Sequence, residues 1–232
     1  MSGDTRQAFD HYKDAYVTAV QDSIAFSGLD YSFFLRSKAA LLRDVLADLL
    51  PAADAPRLLD VGCGVGALHP LLKSAFGQIH GVDVSAECIS RAAANNPWAT
   101  YQAHDGGRLP VADGEFDIAL AVCVAHHVPP PRWPEFFAEL RRATRPGGGV
   151  CVIEHNPFNP LTRLSVLRCA FDKDAHLLRR SHTANLMREA GLTDVRSRYF
   201  VFVPSTANWA QRLERGLAWA PLGAQYVVFG RA

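Results

Sequence analysis

Four polar side chains stand at the ends of two apolar runs that the sequence predicts to be buried strands. His126 and His127 follow the first run, and Glu154 and His155 close the second. The unperturbed pKa of histidine is about 6.5, so an imidazole at such a strand end can take up a proton near neutral pH. We therefore name His126 or His127 as a candidate general base, and Glu154 and His155 as groups that orient a substrate or relay its proton. The alternatives are that the histidines contact a cofactor or cap the turn after them, and that Glu154 and His155 bond to the turn that follows.

A second group of residues lies in LLDVGCGVGAL, residues 58–68. Gly62, Gly64 and Gly66 follow an apolar run, and Asp60 stands two residues before the first of them. Glycines at the carboxyl end of a strand permit positive φ and let backbone amides approach a ligand. Dinucleotide-binding folds use a related G-x-G-x-x-G turn, but here the third glycine comes one residue early. The stretch predicts a ligand-binding turn, and the glycines alone do not identify the ligand.

Another carboxylate, Asp83, ends the next predicted strand in GVDVS. In that position it can accept hydrogen bonds from both hydroxyls of a ribose. The alternative is that it only places negative charge near the N-terminus of the helix that Ser85 caps.

These groups require elements that bring the strand ends together, and the apolar spacing predicts such elements. The predicted strands are 57–62, 78–85, 100–104, 116–124, 150–154, 194–203 and 225–232, and the predicted helices are 38–50, 67–77, 86–96, 134–144 and 181–191. Alternating strands and helices are typical of an α/β, doubly wound, Rossmann-like parallel sheet, which binds ligands at the carboxyl ends of its strands.

Two regions stand outside this alternation. We expect residues 1–40 to form a helical N-terminal cap, 41–232 to form the main domain, and 156–182 to be a lid-like insertion over the strand ends. Lys38, at the end of the cap, is expected to face solvent rather than to pair with a ligand carboxylate. The cap also carries three tyrosines that either shape a substrate pocket or pack within the cap: Tyr12, Tyr16 and Tyr31.

The composition favours one globular core. Of the 232 residues 49% are hydrophobic, and the net charge of +1 gives no overall attraction to nucleic acid or to an anionic membrane. Five cysteines without C-x-x-C spacing predict buried, reduced thiols. The N-terminus lacks the apolar segment of a secretory signal. We expect a cytoplasmic monomer or homodimer that binds neither nucleic acid nor membrane.

The glycine stretch, with Asp60 before it and Asp83 after the next strand, resembles the first motifs of class I S-adenosylmethionine-dependent methyltransferases. Three more segments resemble that family in the same order: AHDG at 103–106, FDIALAVCVAHHV at 116–128 and LRRATRPGGGVCVIE at 140–154. The resemblance covers roughly residues 57–155 and is nearest to the small-molecule enzymes of the type 11 group. It implies a seven-stranded sheet with an antiparallel C-terminal strand, S-adenosyl-L-methionine as cofactor and a small-molecule methyl acceptor.

The resemblance also implies roles for single residues. Asp60 lies near the amino acid part of the cofactor, Asp83 accepts from the ribose hydroxyls, and Asp105 accepts from the adenine amino group. Val84 then lies against the adenine face. The implied cofactor-binding set is Asp60, Gly62, Cys63, Gly64, Gly66, Asp83, Val84, Asp105, Gly106 and Val122.

Motifs that the sequence lacks argue against other classes. An N/D-P-P-Y/F motif does not follow the fourth strand, which disfavours a nucleobase acceptor. CVAHHVPPP offers no cluster of carboxylate and amide oxygens for a hard cation, so we expect no metal. A nicotinamide (NAD-type) oxidoreductase would need the later third glycine and would leave Asp105 unexplained. A non-catalytic protein that binds S-adenosylmethionine is the remaining alternative, and the methylated atom can be oxygen, nitrogen or carbon.

Overall fold

Seven strands form one sheet in the computed structural model, which describes residues 16–50, 54–205 and 207–232. The strands are β1 (Arg57–Val61), β2 (Gln78–Asp83), β3 (Thr100–Ala103), β4 (Phe116–Val122), β5 (Thr144–His155), β6 (Thr193–Phe200) and β7 (Gln225–Arg231). Their order is β3-β2-β1-β4-β5-β7-β6. β1 to β5 run parallel, and β7 is antiparallel to both of its neighbours. The predicted fold class is confirmed, including the antiparallel C-terminal strand.

Helices cover both faces of this sheet. They are α1 (Tyr16–Ile24), α2 (Tyr31–Leu49), α3 (His69–Leu72), α4 (Ala86–Asn95), α5 (Trp133–Ala143), α6 (Pro160–Arg168), α7 (Arg180–Glu189) and α8 (Asn208–Leu217). Within the described ranges, no helix combines the length and the apolar character needed to cross a lipid bilayer.

The two faces carry separate hydrophobic cores, because successive residues of a strand point to opposite sides of a sheet. Leu58 packs into the core beneath α2, and the next residue, Leu59, packs into the core beneath α5 and α7. Both side chains are fully buried. With apolar side chains filling both faces, the edge formed by the strand ends is left for polar groups.

α2 begins earlier than the predicted helix at 38–50. Asp30 caps its N-terminus, since the Asp30 carboxylate accepts a hydrogen bond from Phe33 N at 2.6 Å. The predicted boundary between cap and main domain at 40/41 lies inside this helix, and the division into cap, domain and lid stays a prediction. The expectation for Lys38 was wrong: the side chain is only 8% exposed, because it turns from α2 toward the strand ends.

The predicted lid contains α6 and a 3₁₀ turn, Ala170–Asp172. Asn159 caps α6 by accepting from Thr162 N at 3.0 Å. The same segment is joined to the last strand, because Thr162 Oγ1 donates to the Ala224 carbonyl at 2.8 Å. These bonds hold the segment beside the start of β7, next to the carboxyl end of β5.

All five cysteines lie in the described part of the chain and are free thiols, as predicted. Cys88, Cys151 and Cys169 are buried. Cys63 and Cys123 are half-buried and line a cavity instead of the core.

Candidate active site

A cavity of about 970 Å³ lies at the carboxyl ends of β1, β2, β4 and β5. β1 and β4 are neighbours, and the connection after β1 runs to β2 on one side whereas the connection after β4 runs to β5 on the other. Doubly wound sheets bind ligands at such a switch point. The start of α2, the loop after β1 and the lid complete the wall. The volume is near the upper end of the range for ligand pockets, roughly 300–1,000 Å³.

The loop after β1, residues 62–66, is called the glycine loop below. Gly62 has φ +76°, and a Cβ built there would lie 2.4 Å from Val124 Cγ2. A side chain at position 62 is therefore excluded both by backbone conformation and by space. Gly66 is buried beneath the loop, where a Cβ would lie 2.8 Å from the Tyr101 hydroxyl. Gly62 lines the cavity, and Gly66 allows the loop to pack on the protein.

Asp60 lies at the end of β1 and is 4% exposed. Its Oδ2 is 2.9 Å from His69 Nε2, and His69 Nδ1 is 2.6 Å from the Tyr101 hydroxyl. Asp60 Oδ1 is buried and has no hydrogen-bond partner within the described ranges. Buried polar atoms are rarely left unpaired, so this oxygen, which belongs to a cavity-lining residue, is suited to accept from a ligand.

Asp83 lies at the end of β2, across the glycine loop from Asp60. Its two oxygens accept from Gly64 N and Ser85 N, each at 2.9 Å. Burial raises the pKa of Asp83, and these two backbone donors oppose that rise. The bonds fix the carboxylate at the cavity wall, where each oxygen can still accept a further hydrogen bond.

The predicted cofactor-binding residues meet at this cavity with two exceptions. Those that line it are Asp60, Gly62, Cys63, Gly64, Asp83, Val84, Gly106 and Val122. Gly66 supports the loop from below, as described. The Asp105 side chain is exposed at the rim, where its Oδ1 accepts from Gly107 N at 2.8 Å. A contact between Asp105 and adenine stays a prediction.

Of the three predicted substrate tyrosines, Tyr31 lines the cavity at the start of α2. Tyr12 lies outside the described residues. Tyr16 is the first residue of α1, but its side chain is also outside the described part.

At the other side of the cavity, four residues form what we call the histidine–carboxylate cluster: His126, His127, Glu154 and Asp172. Glu154 Oε1 accepts from Val124 N at 3.0 Å and from Ala125 N at 2.7 Å. Its other oxygen is 2.6 Å from His126 Nδ1. Glu154 and His126 are each 1% exposed, so the turn after β4 is fastened to the end of β5.

Asp172 was missed by the sequence reasoning. It ends the 3₁₀ turn of the lid, and its Oδ1 is 3.4 Å from His126 Nε2 and 3.4 Å from His127 Nε2. The only sequence signal was that residues 156–182 would cover the strand ends. Nothing in the local pattern distinguishes Asp172 from the neighbouring Asp174.

The electrostatic environments of the two histidines differ. Burial alone would lower the pKa of His126, but the carboxylates of Glu154 and Asp172 outweigh it and raise this pKa well above its ordinary value. Burial and the nearby His126 lower the pKa of His127 to about 3. Two adjacent imidazoles thus favour opposite protonation states.

His155, Cys123 and Lys38 form a neighbouring polar group. Lys38 Nζ is 3.6 Å from Cys123 Sγ, and Gln225 Nε2 is 3.5 Å from the same sulfur. Burial on its own would raise the pKa of Cys123, but the Lys38 ammonium and His155 outweigh it and bring that pKa down to about 7. Gln225 Oε1 is buried with no partner among the residues described, which adds a second unpaired acceptor that the sequence did not reveal.

Comparison with known proteins shows that the central part of the chain is similar to methyltransferases. Residues 59–152 match a family described as a methyltransferase domain. The chain is 28% identical over 148 residues to an uncharacterized methyltransferase of Synechocystis, covering 62% of this chain and 70% of that protein. It is 32% identical over 128 residues to the 27-O-demethylrifamycin SV methyltransferase of Amycolatopsis mediterranei, covering 51% of this chain and 46% of that protein. The match thus spans less than half the length of the Amycolatopsis enzyme.

Among solved structures, a SAM-dependent methyltransferase from Thermotoga maritima is similar over 97% of both chains. The TM-score is 0.63 and the sequence identity is 18%. At that identity the similarity concerns the fold.

Proposed function

We propose that the chain is a class I S-adenosylmethionine-dependent methyltransferase and that it methylates a small, largely apolar acceptor. The observation that carries the proposal is one continuous cavity, which joins the glycine loop and its carboxylates to the histidine–carboxylate cluster. A cofactor site and a site for proton transfer therefore share one chamber.

The residues around the glycine loop fit S-adenosylmethionine. When bound, this cofactor supplies a methyl group on a positively charged sulfonium. The unpaired Asp60 Oδ1 would accept from the ammonium of its amino acid part, and Asp83 would accept from the ribose hydroxyls. Glycine at position 62 lets the loop pack against Val124 while its backbone lines the cavity. Asp105 at the rim would accept from the adenine amino group.

The acceptor would occupy the remaining part of the cavity, toward the lid. Apolar side chains from several elements line it, among them Phe34, Leu35, Phe136, Phe171 and Phe202. Tyr31 adds one hydroxyl to this wall. The Amycolatopsis relative is named for a 27-O-demethyl substrate, which supports a hydroxyl group as the methylated function.

Methyl transfer is an in-line displacement, so alignment within a dry chamber supplies much of the acceleration. A hydroxyl acceptor must also lose its proton, and we propose that this happens at the histidine–carboxylate cluster. Glu154 and Asp172 favour the protonated form of His126, so the neutral His127, whose Nε2 is 3.4 Å from Asp172 Oδ1, would be the ring that takes the proton. His155, beside Cys123, would orient the acceptor or relay its proton.

The experiment has two stages. Calorimetry with S-adenosylhomocysteine measures cofactor binding, and NAD serves as the competing ligand. Methyl-labelled S-adenosylmethionine is then incubated with phenols, aliphatic alcohols, amines and extract fractions, and labelled products are identified by mass spectrometry. Labelled product that is reduced at least tenfold in His127→Gln, but not in the surface variant His182→Gln, supports the proposal. Binding of NAD instead would overturn it, and binding of S-adenosylhomocysteine with no product would favour the non-catalytic alternative.

A further inference from the structure

We propose that His126, His127 and Asp172 form a binding site for one divalent transition-metal ion, with Zn²⁺ as the best fit. The site uses two imidazole nitrogens and one carboxylate oxygen, a donor set typical of such ions. The binding argument depends on the geometry of the cluster and not on the proposed reaction.

Two of the three distances between the donors, those from each imidazole Nε2 to Asp172 Oδ1, match a shared ion. The donor atoms all lie within 4.8 Å of one another, and each imidazole Nε2 is 3.4 Å from Asp172 Oδ1. Zinc bonds to nitrogen and oxygen are about 2.0–2.1 Å long, so a tetrahedral ion holds its donors about 3.3–3.4 Å apart. Direct N–H···O hydrogen bonds are usually shorter, at about 2.9–3.0 Å.

One of these donors is a buried atom without a hydrogen bond. His126 is 1% exposed, and its Nε2 has no hydrogen-bond partner in the part of the chain that the structure describes. The atom faces the Asp172 carboxylate at a distance longer than a good hydrogen bond. An ion between the two would satisfy both.

A carboxylate also holds the other nitrogen of the same ring. Glu154 Oε2 is 2.6 Å from His126 Nδ1, and Glu154 Oε1 is held by the backbone N–H groups of Val124 and Ala125. Metal-binding histidines almost always have such a partner on the second nitrogen, which fixes the ring orientation and the tautomer.

The site also has room for a ligand from the cavity. All three donor residues line the cavity, and three protein donors with one open position are typical of catalytic zinc. An acceptor oxygen or nitrogen could occupy that position. If the proposed function holds, the ion would polarise the acceptor hydroxyl and lower its pKa, and the proton would pass to solvent water because both imidazoles would then be ligands.

This proposal revises the sequence-based expectation of no metal. That expectation considered only oxygen donors within CVAHHVPPP. The third donor, Asp172, comes from the predicted lid and lies 45 residues after His127 in the sequence. Only the folded chain brings Asp172 next to the paired histidines.

The test measures metal binding directly. Metal-free protein is titrated with Zn²⁺ by calorimetry and with Co²⁺ by visible absorption, which reports four-coordinate geometry. We expect one ion per chain and strong Co²⁺ absorption. Glu154→Gln should weaken binding about 10–100-fold, and Asp172→Asn and His127→Gln should weaken it more. His182→Gln, which changes an exposed histidine outside the cavity, should bind like the wild type.

Two outcomes overturn the proposal: wild-type protein without saturable binding, or binding that Asp172→Asn and His127→Gln leave unchanged. The Co²⁺ spectrum of the wild type needs no variant, so a misfolded variant does not obscure the result. S-Adenosylhomocysteine binding and methyl transfer are measured on the same metal-free and metal-loaded samples. Metal binding without cofactor binding would count against the proposed function alone, and methyl transfer by protein that binds no metal would count against the metal site alone.

Discussion

Replacing Gly62 with alanine tests how tightly the glycine loop packs at the start of the cavity. The backbone at Gly62 has φ +76°, and the new methyl group would lie 2.4 Å from Val124 Cγ2 and 2.8 Å from Val124 Cγ1. Val124 belongs to the turn after β4 that Glu154 fastens through a hydrogen bond at 3.0 Å. The turn cannot move away without breaking that bond.

The expected loss of free energy of unfolding in Gly62→Ala has two parts, and a control variant separates them. A positive φ costs a non-glycine residue about 1–2 kcal/mol. Overpacking by one methyl group in a tight site adds about 1–3 kcal/mol. Gly191 has φ +89°, and a Cβ added there would meet no described atom within 4 Å, so Gly191→Ala carries the first cost only. We expect Gly62→Ala to lower the free energy of unfolding by about 2–5 kcal/mol, against about 1–2 for Gly191→Ala.

The assays are urea denaturation and calorimetry with S-adenosylhomocysteine. Gly62→Ala should also lose cofactor binding, because the displaced loop carries Gly64 N away from Asp83. Val124→Ala combined with Gly62→Ala removes the two closest atoms and should recover most of the overpacking cost. If Gly62→Ala and Gly191→Ala are equally stable, or if the double variant recovers nothing, the close approach of loop and turn is refuted.

Three other substitutions address a carboxylate, a thiol and the core. Asp60→Asn should weaken S-adenosylhomocysteine binding about 10–150-fold, since a hydrogen bond to a charged group is worth about 1.5–3 kcal/mol. The control Asp113→Asn, at an exposed ion pair, should leave the affinity measured by calorimetry unchanged. Alkylation of Cys123 by iodoacetamide, followed by peptide mass spectrometry, should reach half its maximal rate near pH 7. The midpoint should rise in Lys38→Met, because the thiolate is the reactive form and loses its neighbouring cation; an unchanged midpoint would contradict the contact. Tyr226→Phe should reduce the free energy of unfolding in urea by about 1–3 kcal/mol, since it removes the donor to the Leu178 carbonyl and one of the two hydrogen bonds of Thr183 Oγ1.

The sheet could be predicted because its elements are defined locally. A buried strand such as 57–62 is bounded by polar residues and glycine, and Ser85 begins α4 by accepting from Cys88 N at 3.2 Å, as its residue type predicts. The start of α2 was harder to predict from the sequence, because its cap Asp30 is separated from the apolar stripe used to predict the helix. β5 begins at Thr144 instead of 150, because Thr144 already pairs with Phe116 and the register then shifts before Gly149 pairs with Ile118. Tertiary register of this kind has no local signal.

The site residues differ in the same way: some positions are set by local sequence and others by tertiary packing. Residues at the carboxyl end of a strand, such as Asp60 and Asp83, could be placed from the sequence, because the position of the strand end determines theirs. Lys38 and Asp172 reach the cavity from α2 and from the lid, and their positions depend on how those segments pack over the sheet. Lys38 faces the Cys123 thiol, and Asp172 faces two imidazoles. If the strand ends hold the cofactor and the covering segments hold the acceptor, as proposed, relatives that share only the central sheet should differ in acceptor more than in cofactor.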